Sequence, residues 1–311
     1  MRFKATLLSL SMTVLAGCGS TAASISSETL SGSQIEAIAA NIERLHPSLD
    51  SDLKQQVLEV AVKALDNMVF VEGGEFMMGD FGWPCEPGSS QTCHIDIYGD
   101  NDAVHQVRLD SYHLAKYETT IHEFDSFRLA HGKEIYYADR RDDMKILAPT
   151  YPSLTKDWQE AKEYCQWLGE LAMLPIDLPT EAQWEFAARN RGQKILFATD
   201  NGKIEKGRNY KPTGKSRLFP VGSFPPNPLG LHELSGNVSE WVDDWFAEDY
   251  YAQSPVDNPK GPATGSKKIL RGGNWAESST PVVMRHPRNP VSKKYHIMYG
   301  FRCGLQQSTP L

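Results

Sequence analysis

The 311-residue chain lacks the short motifs that mark several common enzyme and metal-binding classes. It contains no CxxC pair, no GxxxxGK[ST] loop and no GxSxG turn, and His122-Glu123 is not followed by the second histidine of HExxH. These absences exclude the sequence signatures of zinc knuckles, P-loop nucleotide-binding proteins, α/β-hydrolases and HExxH metalloproteases. No segment repeats at a fixed period, which excludes the signature of a repeat architecture.

Basic residues are also scarce. The chain has 32 Lys and Arg against 39 Asp and Glu, a formal net charge of −7 at pH 7. Removal of residues 1–17 would take away Arg2 and Lys4, and 30 basic residues against 39 acids would leave −9. Nucleic acids and anionic membrane surfaces are bound through basic patches. We therefore expect no nucleic-acid partner.

Long apolar runs are missing too, and the one near the start is too short to span a membrane. Residues 5–15 are largely apolar, follow Arg2 and Lys4, and fall short of the roughly 20 residues that a spanning helix needs. This pattern predicts a signal peptide over residues 1–17. The following LAGC resembles the bacterial lipobox, which predicts a lipid on Cys18, and Gly19 favours a periplasm-facing position at the outer membrane. Residues 18–32 are rich in small polar residues and predict a flexible tether.

Four cysteines remain beyond Cys18. Their even number in an exported chain predicts two disulfides, for which three pairings exist. Cys85 and Cys93 bound the short stretch CEPGSSQTC, and a local loop is the simplest pairing. Cys165 with Cys303 then follows by elimination.

Two helical patterns precede the rest of the chain. Isoleucine and leucine recur at 3-4-3 spacing from Ile35 to Leu45, and a second amphipathic pattern runs from Ser51 to about Asn67. They predict a helical hairpin over residues 33–67. The hairpin either packs on the main domain or presents a docking surface for a partner's helix.

From Met68 the sequence changes to glycine, aromatic residues and short β-like runs. Three helices are predicted among them, at about 121–131, at Trp158–Leu168, and in LPTEAQWEFAAR, where Thr180 and Gln183 form a capping box. A domain with this much irregular chain is predicted to need cross-links, either disulfides or bound metal ions.

Seven landmarks occur in order between residues 68 and 304: FVEGGEFMMGD, YHLAKYETT, CQWLGE, LPTEAQWEFAARN, FPPNPLGLHELSGNVSEWVDDW, LRGGNW and YGFRC. Together they resemble the formylglycine-generating enzyme (sulfatase-modifying factor) family. The resemblance implies an α+β, C-type-lectin-like fold with little regular secondary structure over residues 68–304, followed by a tail at 305–311. It also implies the disulfide between Cys165 and Cys303.

Members of that family that oxidise a sulfatase cysteine to formylglycine hold copper with two cysteines shortly after RGGS[WY]. This chain reads RGGNWAESSTPVV, which places Glu277 and Val282 at those positions. Asn274 replaces the serine of that motif, and Ser239 replaces the tryptophan of GNxWEW. Soft thiolates suit Cu(I), whereas a carboxylate and an aliphatic side chain do not. We expect no copper and no such catalysis. A related branch binds iron through histidines of added helices, but the helices before residue 68 contain only His46.

The segment LHELSGNVSEW, residues 231–241, matches a family loop that wraps a structural calcium ion. The resemblance implies Glu233 and Glu240 as side-chain ligands and the carbonyls of Gly236 and Val238 as further ligands. Ca²⁺ binds oxygen ligands in proteins and combines carboxylates with backbone carbonyls. The alternative is a tight turn whose acids bind backbone N–H groups.

Polar and basic residues gather beside the lost copper positions: Asn274, Glu277, Arg285, His286 and Arg288. One interpretation is structural salt bridges. The other is a pocket for an anionic or polar ligand, because arginine forks match carboxylates.

The resemblance and the export signal predict a non-catalytic, lipid-anchored protein that binds periplasmic or outer-membrane proteins and supports an envelope machine such as type VI secretion. Two alternatives remain. One is an enzyme of the same fold with a relocated active site, for example in siderophore maturation. The other is a lectin-like ligand-binding lipoprotein.

Overall fold

The computed structural model describes residues 25–85, 90–95, 99–141, 143–155, 157–214, 217–277, 280–291 and 297–311. The predicted signal peptide, Cys18 and the first part of the predicted tether lie outside the described residues. Within them, no helix combines the length and the apolar character needed to cross a membrane.

The described chain contains six α-helices and twelve short strands, which confirms the predicted α+β class. The helices are α1 (Gly32–Leu45), α2 (Ser51–Asp66), α3 (Ile121–Ala130), α4 (Trp158–Ala172), α5 (Glu181–Ala188) and α6 (Tyr250–Gln253). The strands are β1 (Met68–Val71), β2 (Gly74–Met78), β3 (Trp83–Pro84), β4 (Thr92–Cys93), β5 (His105–Leu109), β6 (Tyr112–Ala115), β7 (Ile176–Asp177), β8 (Ser239–Trp245), β9 (Lys268–Arg271), β10 (Arg285–Arg288), β11 (Tyr299–Phe301) and β12 (Gly304–Leu305).

The helices begin where side chains can satisfy their first backbone N–H groups. Ser31 and Gln34 form a capping box at the start of α1, and the Asp50 carboxylate accepts from the backbone of α2. The predicted capping box of Thr180 and Gln183 is present at the start of α5. Such caps each contribute about 1 kcal/mol and fix where these helices start.

The helical hairpin packs on the body. Ile42 of α1 and Val57 and Leu65 of α2 are buried in the same apolar cluster as residues of α3 and α4. The side-chain amide of Asn41 also donates to the carbonyl oxygen of Glu170, at 2.7 Å. The apolar faces of α1 and α2 are therefore covered by the chain itself.

Two four-stranded sheets organise the body. One has the order β1-β6-β12-β7 and the other β10-β9-β8-β11, in which β11 runs parallel to β8. Since β11 and β12 are separated by two residues, the chain passes directly from one sheet to the other at 302–303.

Both predicted disulfides are present, and their pairing is confirmed. Cys85–Cys93 closes a loop across a separation of 8 residues. Cys165–Cys303 joins α4 to the segment between β11 and β12 across a separation of 138 residues. A cross-link over so long a loop contributes about 4–5 kcal/mol in the chain-entropy model.

Candidate functional site

The loop that carries Asn274 and Glu277 follows β9, and its backbone path requires glycine at two positions. Gly272 has φ +70°, and a Cβ there would lie 2.9 Å from the carbonyl oxygen of Leu234. A Cβ on Gly273 would lie 2.5 Å from Thr280 Oγ1. The Arg-Gly-Gly sequence therefore lets this loop lie directly against the 231–241 segment.

Asn274 hydrogen-bonds to both Ser239 and Glu277, three of the four residues at which the sequence predicts a departure from the family pattern. Asn274 Nδ2 donates to Glu277 Oε1 at 2.8 Å and to Ser239 Oγ at 3.3 Å. The other oxygen of Glu277 accepts from the hydroxyl of Thr280. The fourth departure, Val282, is fully buried in an apolar cluster. Ser239, Asn274, Glu277 and Thr280 thus form one hydrogen-bonded network, and the side chain of Val282 adds no polar group to it.

The main chain of Glu277 is held as well. Lys211 Nζ donates to the carbonyl oxygens of Trp275 and Glu277, and burial lowers the pKa of this lysine. The Tyr210 hydroxyl lies 3.5 Å from the same Glu277 oxygen. Burial and the nearby Glu277 carboxylate raise the pKa of Tyr210 to about 12, so this phenol stays protonated.

The five residues of the predicted ligand pocket do not share one set of contacts. Asn274 and Glu277 bond each other, whereas Arg285 is buried and donates to both oxygens of Glu181, at 2.8 and 3.1 Å. His286 is half-buried within β10, and the exposed Arg288 contacts the Tyr299 hydroxyl at 3.1 Å. The salt-bridge interpretation describes Arg285, while a pocket shared by all five residues stays a prediction.

The Arg285 ion pair belongs to a larger buried network of salt bridges, the interpretation given above for Arg285. Arg271 donates to Glu185 at 2.6 Å, and Arg189 donates to the other oxygen of Glu185 at 2.7 Å. Glu181 and Glu185 lie four residues apart on α5, so a helix carries both acids into the interior. The capping box at the start of α5 was the available signal that this helix forms, but it did not reveal burial.

The 231–241 segment forms a turn with two residues in the left-handed region. Glu233 has φ +58° and Asn237 has φ +63°. The Asn237 side chain accepts from the backbone N–H of Phe219 at 3.0 Å and donates to Glu118 Oε2 at 2.6 Å. The other oxygen of Glu118 accepts from the backbone N–H of Val238 at 3.1 Å. Glu118 thereby ties this turn to the segment after β6.

A centre of three buried carboxyl groups and one guanidinium lies behind the turn. Glu118, Glu233 and Glu240 are 1%, 9% and 1% exposed, and Arg302 is 0% exposed. Arg302 donates to both oxygens of Glu240, each at 2.7 Å. Burial, followed by the charges of Glu233 and Glu240, raises the pKa of Glu118 well above its usual range. Burial also raises the pKa of Glu233 to about 7. Burial thus favours the protonated, neutral forms of Glu118 and Glu233, while Arg302 neutralises Glu240.

The two predicted calcium ligands with side-chain oxygens, Glu233 and Glu240, both have hydrogen-bond partners within the protein. Glu240 is held by Arg302 and by the Trp184 indole N–H at 2.8 Å, so it is not an independent ligand. Glu233 accepts only backbone N–H groups in its contacts, from Gly222 at 2.9 Å and Phe224 at 3.1 Å. The Glu233 bonds are those expected for the alternative interpretation, a tight turn whose acids bind backbone N–H groups. The calcium site stays a prediction.

A cleft of about 780 Å³ lies between α2 and the body. Its buried wall includes Val60, Leu168 and Cys303, and its exposed side chains include Lys63 and His122. The acid centre borders the cleft through Glu118. Mixed apolar and polar clefts of roughly 300–1,000 Å³ are the usual setting for ligand binding.

The chain belongs to the formylglycine-generating enzyme (sulfatase-modifying factor) family, because the sequence model of the Sulfatase-modifying factor enzyme 1-like domain matches residues 54–306. This match covers the body and most of α2, and it confirms the family predicted from the seven landmarks.

Two relatives and one solved structure illustrate the similarity. The chain is 34% identical over 259 residues to the serine/threonine-protein kinase pkn1 of Chlamydia pneumoniae, covering 77% of this chain and 38% of that protein. It is 29% identical over 293 residues to the formylglycine-generating enzyme of Streptomyces coelicolor, covering 76% and 88%. The structure of PvdO from Pseudomonas aeruginosa matches with a TM-score of 0.61 at 24% identity, covering 77% of this chain and 94% of that one. The last similarity shows the fold alone.

Proposed function

We propose that this protein is a non-catalytic member of the family that binds a partner protein. The observation that carries the proposal is the closed network of Ser239, Asn274, Glu277 and Thr280 at the family's copper position. Both oxygens of the one carboxylate are taken by hydrogen bonds, and Val282 offers no donor atom. Cu(I) needs soft ligands, so copper-dependent oxidation of a cysteine has no support at this position.

The cleft beside α2 is the proposed binding site for the partner. It has an apolar wall for a side chain and exposed charged groups at its edge, which together suit a short segment of another protein. Lys63 and Glu59 give α2 charges of both signs there, and such charges select partners by complementarity. In one relative, which is named as a protein kinase, the matched region makes up about two fifths of the protein. That name supports a regulatory role.

The location is part of the same proposal. A lipid on Cys18 would hold the domain at the outer membrane, facing the periplasm, where its partners would be periplasmic or outer-membrane proteins. An envelope machine such as type VI secretion is the proposed setting. The support is the LAGC sequence at residues 15–18 after a short apolar run.

The catalytic part is tested with a synthetic peptide that presents a sulfatase cysteine, incubated with the protein, Cu(I) and oxygen. We expect no aldehyde by mass spectrometry, and aldehyde formation by the unmodified protein would refute the proposal. An Asn274→Ser variant, which restores only the motif serine, serves as the matched control and should be equally inactive.

The binding part is tested by placing a photoreactive amino acid at Lys63 in cells of the source organism. Cross-linking from Lys63 to a defined envelope protein is the expected result. The same amino acid at Ser51, at the other end of α2 and outside the cleft, is the matched control. Equal cross-linking from both positions, or none from Lys63, would count against the cleft as the binding site.

A further inference from the structure

Three side chains with metal-binding atoms meet at the base of the Cys85–Cys93 loop. Asp80 follows β2, His94 directly follows Cys93 at the end of β4, and Asp102 lies in the turn before β5. One ligand atom from each lies within 4.8 Å of the other two. These three segments are separate in the sequence, so the fold itself brings the atoms together.

The distances suit a small divalent ion. His94 Nδ1 and Asp102 Oδ1 are 3.0 Å apart. Zinc takes histidine nitrogen and carboxylate oxygen at about 2.0–2.2 Å, so adjacent ligands around it lie about 3–3.5 Å apart. Small side-chain rotations would bring all three atoms to bonding distance of a common point.

Asp80 has the surroundings of an oriented ligand. It is 0% exposed, and its carboxylate accepts from the backbone N–H groups of Gly82, at 2.9 Å, and Ile95, at 2.5 Å. Its own N–H donates to the carbonyl oxygen of Asn101 at 2.9 Å. Outer hydrogen bonds of this kind fix the direction of metal-binding carboxylates.

His94 and Asp102 leave the site accessible to solvent, and the disulfide next to His94 restrains its backbone. The side chains of His94 and Asp102 are 49% and 39% exposed, which leaves an open path for an ion and positions for water ligands. The Cys85–Cys93 disulfide and the β3–β4 pairing hold the residue next to His94 in place. The site therefore combines one buried and two accessible ligands.

We propose that Asp80, His94 and Asp102 bind one first-row divalent metal ion, with zinc as the representative. An imidazole nitrogen among the ligands favours zinc over calcium, which takes oxygen ligands. The site is distinct from the acid centre and independent of the proposed partner binding. A bound ion would join the end of β2, the disulfide loop and the turn before β5.

The test is calorimetric titration of the metal-stripped protein with zinc chloride at pH 7. We expect one equivalent to bind, and we expect His94→Ala and Asp102→Asn each to weaken that binding at least about tenfold. The exposed His122, far from this loop in the sequence, provides the control: His122→Ala should bind zinc as the unmodified protein does. Circular dichroism without zinc checks that all variants fold.

Calcium in tenfold excess should leave zinc binding unchanged, which separates this site from the calcium prediction. Zinc binding weaker than about 100 µM, or binding that survives both His94→Ala and Asp102→Asn, would overturn the proposal. Equal loss in His122→Ala would also overturn it, because it would indicate general surface histidine binding. In each of those cases the contact between His94 and Asp102 is an exposed surface pair without a metal-binding role.

Discussion

Replacement of Arg302 by methionine tests the energetics of the acid centre most directly. The guanidinium is fully buried and donates to both oxygens of Glu240 and to three backbone carbonyls, those of Ala115, Lys116 and His232. Methionine keeps much of the side-chain volume but leaves the Glu240 carboxylate without its cation. Removal of one partner of a buried ion pair costs about 3–5 kcal/mol. A domain of this size loses about 2–4 °C in melting temperature per kcal/mol, so the expected loss is about 6–20 °C.

The measurement is thermal unfolding followed by circular dichroism, with urea unfolding to give the free energy. Arg288→Met is the matched control, because Arg288 is exposed and its side chain contacts the Tyr299 hydroxyl and the Pro287 carbonyl. We expect a change within about 0.5 kcal/mol for that variant. If Arg302→Met costs less than about 1 kcal/mol, the acid centre is solvated or rearranged in solution and the charge argument fails.

Three further predictions concern the same body. Burial raises the pKa of Glu233 to about 7, above its usual value of 4.5, so the folded state binds this proton more tightly. Stability should therefore decrease as pH rises from about 4.5 to 7, and Glu233→Gln should flatten that dependence in urea unfolding at pH 5 and pH 8. Calcium at pH 8 should raise the melting temperature of the unmodified protein but not that of Glu233→Gln. If calcium changes neither melting temperature, the calcium prediction is wrong and the turn interpretation stands. Replacement of both Cys165 and Cys303 by alanine should lower the unfolding free energy by about 4–5 kcal/mol, and replacement of Cys85 and Cys93 by about 2–3 kcal/mol. Equal losses for the two disulfides would contradict the loop-length argument.

Disulfide pairing and helix starts could be predicted from the sequence because they depend on local spacing or on few alternatives. Cys85 and Cys93 share a short loop, and once they pair only Cys165 and Cys303 remain. Capping boxes likewise need only residues three positions apart, as at Thr180.

The charges of the interior could not be predicted in the same way. The family resemblance predicts Glu240 as a calcium ligand, but nothing in that loop indicates its partner Arg302, which is 62 residues further along. Salt bridges are one of the two interpretations for Arg285, but the sequence does not indicate its partner Glu181, 104 residues earlier. Pairing of buried charges is set by tertiary packing, and a single sequence carries no signal for it.

The segment around Asn274 and Glu277 shows what could and what could not be predicted from the sequence. The sequence predicts four departures, at Ser239, Asn274, Glu277 and Val282, because a family motif indicates which positions to compare. That three of them bond one another was not visible, since Ser239 and Asn274 are 35 residues apart.

The short passage from β11 to β12 has a consequence for the order in which the protein can be assembled. β12 lies between β6 and β7 in one sheet, β11 lies against β8 in the other, and Arg302 and Cys303 stand between the two strands. Neither sheet is complete until residues 299–305 have been synthesised and have joined their partner strands. A chain cut at residue 298 would lack a strand from each sheet, the cation of the acid centre and half of the long-range disulfide. One short segment, residues 299–305, thus completes both sheets and closes the body.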